Sequence, residues 1–233
     1  MVGGKSSIRV VVDNVSLRDR TTQVLRDAIL NLHFKPGQKL VERRLCEETG
    51  VSRTSIREAL RHLESEGLVT RVANRGMFVA EVGPDEARQI YEVRAVLEPA
   101  MTRYFVARAS EKQIAALEQI LGRIEKAISG KAVLAYVQGL AAFSDHLAEG
   151  AGNEVARQLL NTLGARITYL RFITARAASE ERERVTLQAL RDIYAALKER
   201  DADTAAARQT AYVERSAAFA QQVLADLKKS STA

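Results

Sequence analysis

The sequence predicts a mostly α-helical protein in two parts: a small N-terminal unit of three helices and a β hairpin, then a larger all-α antiparallel helical bundle. Three observations carry this. Apolar residues recur at three- and four-residue steps through most of the chain, the period of a helix with one buried face. Apart from a short apolar run at Ile8–Val12, β-prone stretches occur only at Leu68–Val72 and Met77–Ala80. After Gly83-Pro84-Asp85 no strand pattern returns, and long helical periods follow one another.

Residues 1–16 mix Gly, Ser and charges and are expected to form a loose arm with a brief strand around Ile8–Val12. From Leu17 a helix is expected on Val24, Leu25, Ala28, Ile29 and Leu32, ending where Phe34-Lys35-Pro36-Gly37 imposes a turn. Leu40 and Val41 lead into a short helix from Glu42 to Thr49, with Leu45 and Cys46 inward and Gly50 as its C-cap. Ser52 is placed to cap the third helix through its hydroxyl, and that helix should end near Gly67. In the third helix Ile56, Leu60 and Leu63 form a stripe for burial. Arg53, Thr54, Arg57 and Arg61 fall on a different face.

A short helix locked by its apolar side, with arginines and hydroxyls on its first turns, suits the DNA major groove. Taken alone, the same segment also reads as a solvated amphipathic helix. The two β-prone runs form a two-stranded hairpin with a basic tip at Ala73-Asn74-Arg75-Gly76. Residues 17–82 thus make a winged helix-turn-helix, with Arg75 either reaching a phosphate or the minor groove or standing as an ordinary turn arginine.

In residues 83–233 the first helix spans Asp85 to Ala109, with Ile90, Val93, Val96 and Leu97 inward and a kink or break expected at Pro99. Ser110 and Gln113 form a capping box for the next, whose stripe is Ile114, Leu117, Ile120, Leu121, Ile124 and Ile128. Further helices run from about Ala132, Asn153, Ser179 and Asp203, with connections short enough to force antiparallel neighbours.

Composition narrows the function. Of 233 residues 46% are hydrophobic, enough for a sizeable core. The net charge of +6 is concentrated: +4 lies in residues 1–82 and +2 in 83–233, which favours a polyanion partner for the N-terminal part. Cys46 is the single cysteine and reads as a small core residue, so no thiolate metal cluster is expected. No apolar run approaches the roughly 18 residues of a membrane span and no secretory leader opens the chain, so a cytoplasmic protein without membrane contact is expected.

Residues Leu40–Val79 resemble the DNA-binding domain of GntR-family bacterial transcription regulators. The matched positions are Pro36-Gly37, Leu40, Glu42-Arg43-Arg44-Leu45, Gly50 through Leu60, Leu63, Glu66-Gly67-Leu68 and Arg75-Gly76-Met77-Phe78-Val79. The remainder is similar to the FCD effector domain of the FadR subfamily. The similarity rests on Tyr91-Glu92-Val93-Arg94, Leu97-Glu98-Pro99, Phe143, Gly152-Asn153, Ala196-Leu197 and Asp201. The resemblance implies a homodimeric regulator, a repressor by expectation, that binds an inverted-repeat DNA operator and responds to a small molecule. It places DNA contacts on Arg43, Ser52, Arg53, Thr54 and Arg57, with the wing at Arg75 and Gly76. It implies no enzyme and no catalytic residue.

Many FCD domains hold a divalent metal through an Asp and three His. The corresponding positions here fall on Leu140, Ser144, Leu190 and Tyr212, none a carboxylate or histidine, so neither a metal nor another cofactor is expected. The pocket is expected to persist without it, lined by Leu140, Ser144, Leu190 and Tyr212. Arg94 and Arg171 would face a carboxylate or thioester effector. Pairing of either arginine with Glu98 or another internal acid is the competing reading. His146 reads as a surface or helix-packing residue. The competing function, a metal-dependent helical-bundle enzyme or a ligand-binding protein without operator specificity, predicts clustered Glu-x-x-His motifs that the sequence lacks.

Overall fold

The structure, a computed structural model, describes residues 17–31 and 33–232, without the side chains of 165 and 230–232. The arm and its expected strand at Ile8–Val12, and Leu32, lie outside the described residues. The chain divides into two compact units, 17–65 with Val69–Val79, and Glu66–Leu68 with the residues from Ala80 onward.

The first unit contains α1 (Leu17–Leu30), β1 (Lys39–Leu40), α2 (Glu42–Thr49), α3 (Arg53–Ser65), β2 (Val69–Val72) and β3 (Gly76–Val79). Leu25 and Ile29 of α1 are buried, whereas Val24, expected inward, is exposed. Its place is taken by Thr21 and Thr22, whose hydroxyls donate back to the carbonyls of Leu17 and Arg18 and so enter the core satisfied. The sheet has three strands, not the expected two. β1 pairs antiparallel with β3, and β3 with β2, in the order β1-β3-β2. The tip turns through Asn74, whose φ is 59°. Cys46 is only half-buried, and Leu45 alone fills the core side of α2.

The second unit is helical: α4 (Pro84–Arg108), α5 (Glu111–Ser129), α6 (Val133–Gly150), α7 (Glu154–Ala177), α8 (Glu180–Lys198) and α9 (Ala202–Thr232). Local chemistry fixes the starts. Ser110 and Gln113 form the reciprocal capping box of α5, Asn153 caps α7 and Ser179 caps α8. The first and last helices of the unit run antiparallel, α4 lying along α9 with Gln209 near Glu98 and Gln221 near Pro84, and so do the consecutive α5 and α6, with Gln113 near His146 and Ile124 near Gly139. At Gly139 a Cβ would stand 2.5 Å from Ile124 Cγ1, so glycine is what allows α5 and α6 to approach this closely.

α4 departs from expectation twice. It runs unbroken through Pro99, because its long buried face outweighs one lost rung of the backbone ladder. Its inward face also carries Ile90, Tyr91, Arg94 and Glu98, while Val93 and Val96 are exposed.

Candidate nucleic-acid interface and effector cavity

α2 and α3 form the helix-turn-helix. Gly50 closes α2 at φ 69°, a left-handed value that favours glycine, and its amide donates to Cys46 O at 2.9 Å. Ser52 starts α3: its Oγ accepts from the Ser55 amide at 3.3 Å and lies 3.0 Å from Ser55 Oγ. Ile56, Ala59, Leu60 and Leu63 are buried, which fixes the rotation of α3 and turns Arg53, Thr54 and Arg57 outward. Arg43 projects from α2 with Nε 3.8 Å from Glu47.

A residue the sequence reading did not single out governs the arginines. Glu42, first in α2, accepts from Arg57 Nε at 2.9 and 3.0 Å and stands 3.3 Å from Arg53 Nε. Its hydrogen bond and charge hold the Arg57 guanidinium above its ordinary pKa. Both arginines remain more than half exposed, so Glu42 orients them without withdrawing them from solvent. The only sequence signal was the spacing from Glu42 to Arg57, which acquires meaning once two helices cross. In the wing, Gly76 has φ 104° and Arg75 Cζ lies 5.6 Å from the centre of the Phe78 ring. Arg61 is paired with Glu58 at 2.7 Å.

In the second unit a cleft of about 450 Å³, a figure that includes its open mouth, lies between helices. Of the expected pocket residues, Arg94, Leu140, Arg171 and Tyr212 line it. Ser144 stands behind the wall, its hydroxyl accepting from Arg171 Nη2 at 2.7 Å. Leu190 packs in the core at 1% exposure and is not part of the lining. The lining also includes Tyr91, Tyr136, Arg182, Thr186, Ser216 and Phe219, which sequence reasoning did not assign to a pocket. They come from α4, α6, α8 and α9 and share no sequence spacing.

Arg94 is 1% exposed and internally paired. Its Nε donates to Glu98 Oε1 at 2.6 Å, its Nη2 to Oε2 at 3.4 Å, and Gln209 Nε2 completes Glu98 at 2.7 Å. Burial opposes the Arg94 charge, but the adjacent Glu98 carboxylate outweighs that and holds the guanidinium above its ordinary pKa. The Glu98 reading of Arg94 therefore prevails, and Arg94 is no free anchor for a ligand. Burial also raises the pKa of Tyr91 and Tyr136, which keeps both phenols neutral.

The positions matching the family's metal ligands carry Leu140, Ser144, Leu190 and Tyr212, which offer two hydroxyls and no carboxylate or imidazole. This donor set does not fit a divalent cation. Among the described residues no three His, Cys, Asp or Glu side chains cluster in a metal-binding arrangement. His146 packs α6 on α5, with Nε2 2.7 Å from Gln113 O and its ring tilted against Phe105. Among the described residues no helix is long and apolar enough to cross a membrane.

Comparison with known proteins agrees with this architecture. Residues 17–79 match the family model described as bacterial regulatory proteins, gntR family, and residues 89–215 match the FCD domain. The Nta operon transcriptional regulator of Aminobacter aminovorans is 32% identical over 145 residues, covering 62% of this chain and 68% of its own. The HTH-type transcriptional repressor RspR of Escherichia coli is 26% identical over 201 residues, covering 86% and 87%. The solved structure of E. coli McbR/YncC superposes with a TM-score of 0.78 at 21% identity, over 90% of this chain and 99% of that one, which shows a shared fold. The chain belongs to the GntR family of bacterial regulatory proteins: it is a transcription regulator, not an enzyme, with a DNA-binding GntR domain followed by an FCD effector domain.

Proposed function

We propose that this regulator is a cytoplasmic repressor that binds an inverted-repeat operator as a homodimer and is retuned by a small organic acid held in the helical bundle without a metal. Residues 17–82 serve as the DNA-binding domain and 83–233 as the effector-binding and dimerisation domain. The observation that carries the reading is the division of α3: Ile56, Leu60 and Leu63 lock it in the core while Arg53, Thr54 and Arg57 stand exposed on its first turns. Arginine bonds guanine O6 and N7 bidentately, each good pair supplying roughly 1–3 kcal/mol of discrimination. Arg53 and Arg57 take that role. Ser52, Thr54 and Arg43 position the phosphates, and Arg75 with Gly76 contacts the flanking backbone. Repression is supported by the similarity to a named repressor, and an acidic effector by the arginines that line the bundle cavity.

Selection of bound sequences from random duplex DNA by the full-length protein tests this. Two half-sites in inverted order, centred about one helical turn apart, are expected. Arg53→Ala and Arg57→Ala should weaken binding to the selected site and leave the fold intact. Recovery of sequences with no inverted repeat would overturn the proposal.

A further inference from the structure

Three arginines, Arg94, Arg171 and Arg182, line the bundle cavity, and they are in different chemical states. Arg94 is spent on Glu98. Arg171 is 7% exposed, yet its Nε is buried with no hydrogen-bond acceptor among the described residues, and its Nη2 donates only to the neutral hydroxyl of Ser144. Asp145 is close enough to sense the Arg171 charge but makes no hydrogen bond to it. Arg182 donates to the Arg215 carbonyl at 3.0 Å and lies over the Phe219 ring, its Cζ 4.7 Å from the centre, again without a carboxylate partner. Glu183 neighbours Tyr136 but bonds neither arginine.

A buried guanidinium without a counter-charge is costly, and the cost is relieved by an anion that accepts from its free N–H groups. Arg171 is close to that condition, since Asp145 lies near it without bonding it; Arg182 is only half-buried but also lines the cavity with no hydrogen-bonded carboxylate among the described residues. Arg171, Thr174, Ala175 and Ala178 form one stripe along α7, about 10 Å from end to end at the helical rise. Arg171 stands at one end. Arg182 enters from the first turn of α8, just past the other end. Between them the walls are aromatic, from Tyr91, Tyr136 and Tyr212.

Resting on the acid-responsive reading above and deepening it, we infer that the cavity takes a short dicarboxylate, one carboxylate on Arg171 and the other on Arg182, its carbon chain lying against the tyrosine walls.

Calorimetric titration of the full-length protein at constant ionic strength tests this with succinate, glutarate and adipate, against butyrate and inorganic phosphate. At least one dicarboxylate should bind about tenfold or more tightly than butyrate, the scale of a charge-assisted hydrogen bond gained at the second end. Arg182→Gln should collapse that preference to about threefold or less. Arg171→Met should abolish binding of both, and Arg171→Lys, which keeps the charge, should restore part of it in a folded protein. Dicarboxylates no better than butyrate, binding of phosphate alone, or binding that survives Arg171→Met would each overturn the inference. Because the titration contains no DNA, these failures leave operator binding untouched. A dicarboxylate that binds as expected but does not change a gel shift counts against the regulatory reading instead.

Discussion

Replacing Glu98 by leucine removes the one carboxylate that neutralises Arg94. The arginine is 1% exposed and Gln209 is 2% exposed, so neither can turn to water for compensation. The change deletes two contacts to Arg94, at 2.6 and 3.4 Å, and one to Gln209 at 2.7 Å. Stranding a buried charge costs about 3–5 kcal/mol. For a unit of this size each kcal/mol lowers Tm by roughly 2–4 °C, so a fall of roughly 6–20 °C is expected. Arg94→Met should be damaging on the same scale, because it leaves the Glu98 carboxylate buried. The double variant Arg94→Met/Glu98→Leu removes both charges and keeps volume, so its residual cost should be about 1–3 kcal/mol, from the Gln209 amide that loses its acceptor. Urea denaturation of the four proteins, followed by circular dichroism, gives the coupling energy. It should be several kcal/mol, with the double variant more stable than either single one. Strict additivity would refute the assignment of Arg94 to an internal pair and return it to the list of ligand anchors.

Two further predictions concern other groups. Glu42→Gln frees Arg53 and Arg57 to take up a phosphate. Binding to a random-sequence duplex should then steepen by about 0.9 in the slope of log K against log salt, an extra loss of about 3.5-fold between 50 and 200 mM; an unchanged slope in an anisotropy titration rules this out. Tyr169 is buried near Glu81, and burial first, then that charge, pushes its phenol up to about 12. Its folded pKa exceeds the ordinary 10.0, so its contribution is intact below pH about 10 and is lost as pH rises from there through about 12. Tyr169→Phe should therefore match the parent at pH 7 and unfold less readily at pH 11, and identical alkaline melting of the two would contradict this.

How much was legible in the sequence depended on where the meaning resided. Ser110, Gln113 and the stripe from Ile114 to Ile128 were readable because caps and amphipathic faces are local chemistry. The same holds for the alternation of Ile56 and Leu60 with Arg53 and Arg57. α4 was misread because a buried ion pair inverts the usual pattern: Arg94 and Glu98 occupy the inward positions that periodicity assigns to Val93 and Val96. β1 was missed because two residues have no period, and Lys39–Leu40 becomes a strand only by pairing with Met77 and Phe78. Four of the thirteen residues lining the cavity, Arg94, Leu140, Arg171 and Tyr212, were expected from positions on single helices. Arg182, Tyr136 and Ser216 were not, because they converge only when the bundle closes.

That short first strand has a consequence for reading DNA. The Gly37 amide donates to Val79 O at 3.1 Å and the Val79 amide to Gln38 O at 2.9 Å, so the base of the wing is stitched to the turn just before α2. An unstitched wing would sample many orientations and surrender that entropy on every encounter with a duplex. Here the loss is incurred once, during folding, and under the proposed mode of DNA binding the tip and α3 would meet the groove as one preset gauge. The Val79 amide should accordingly exchange its hydrogen as slowly as those in the middle of α3, and loosening the turn at Pro36 would blunt discrimination between sites before it lowered overall affinity.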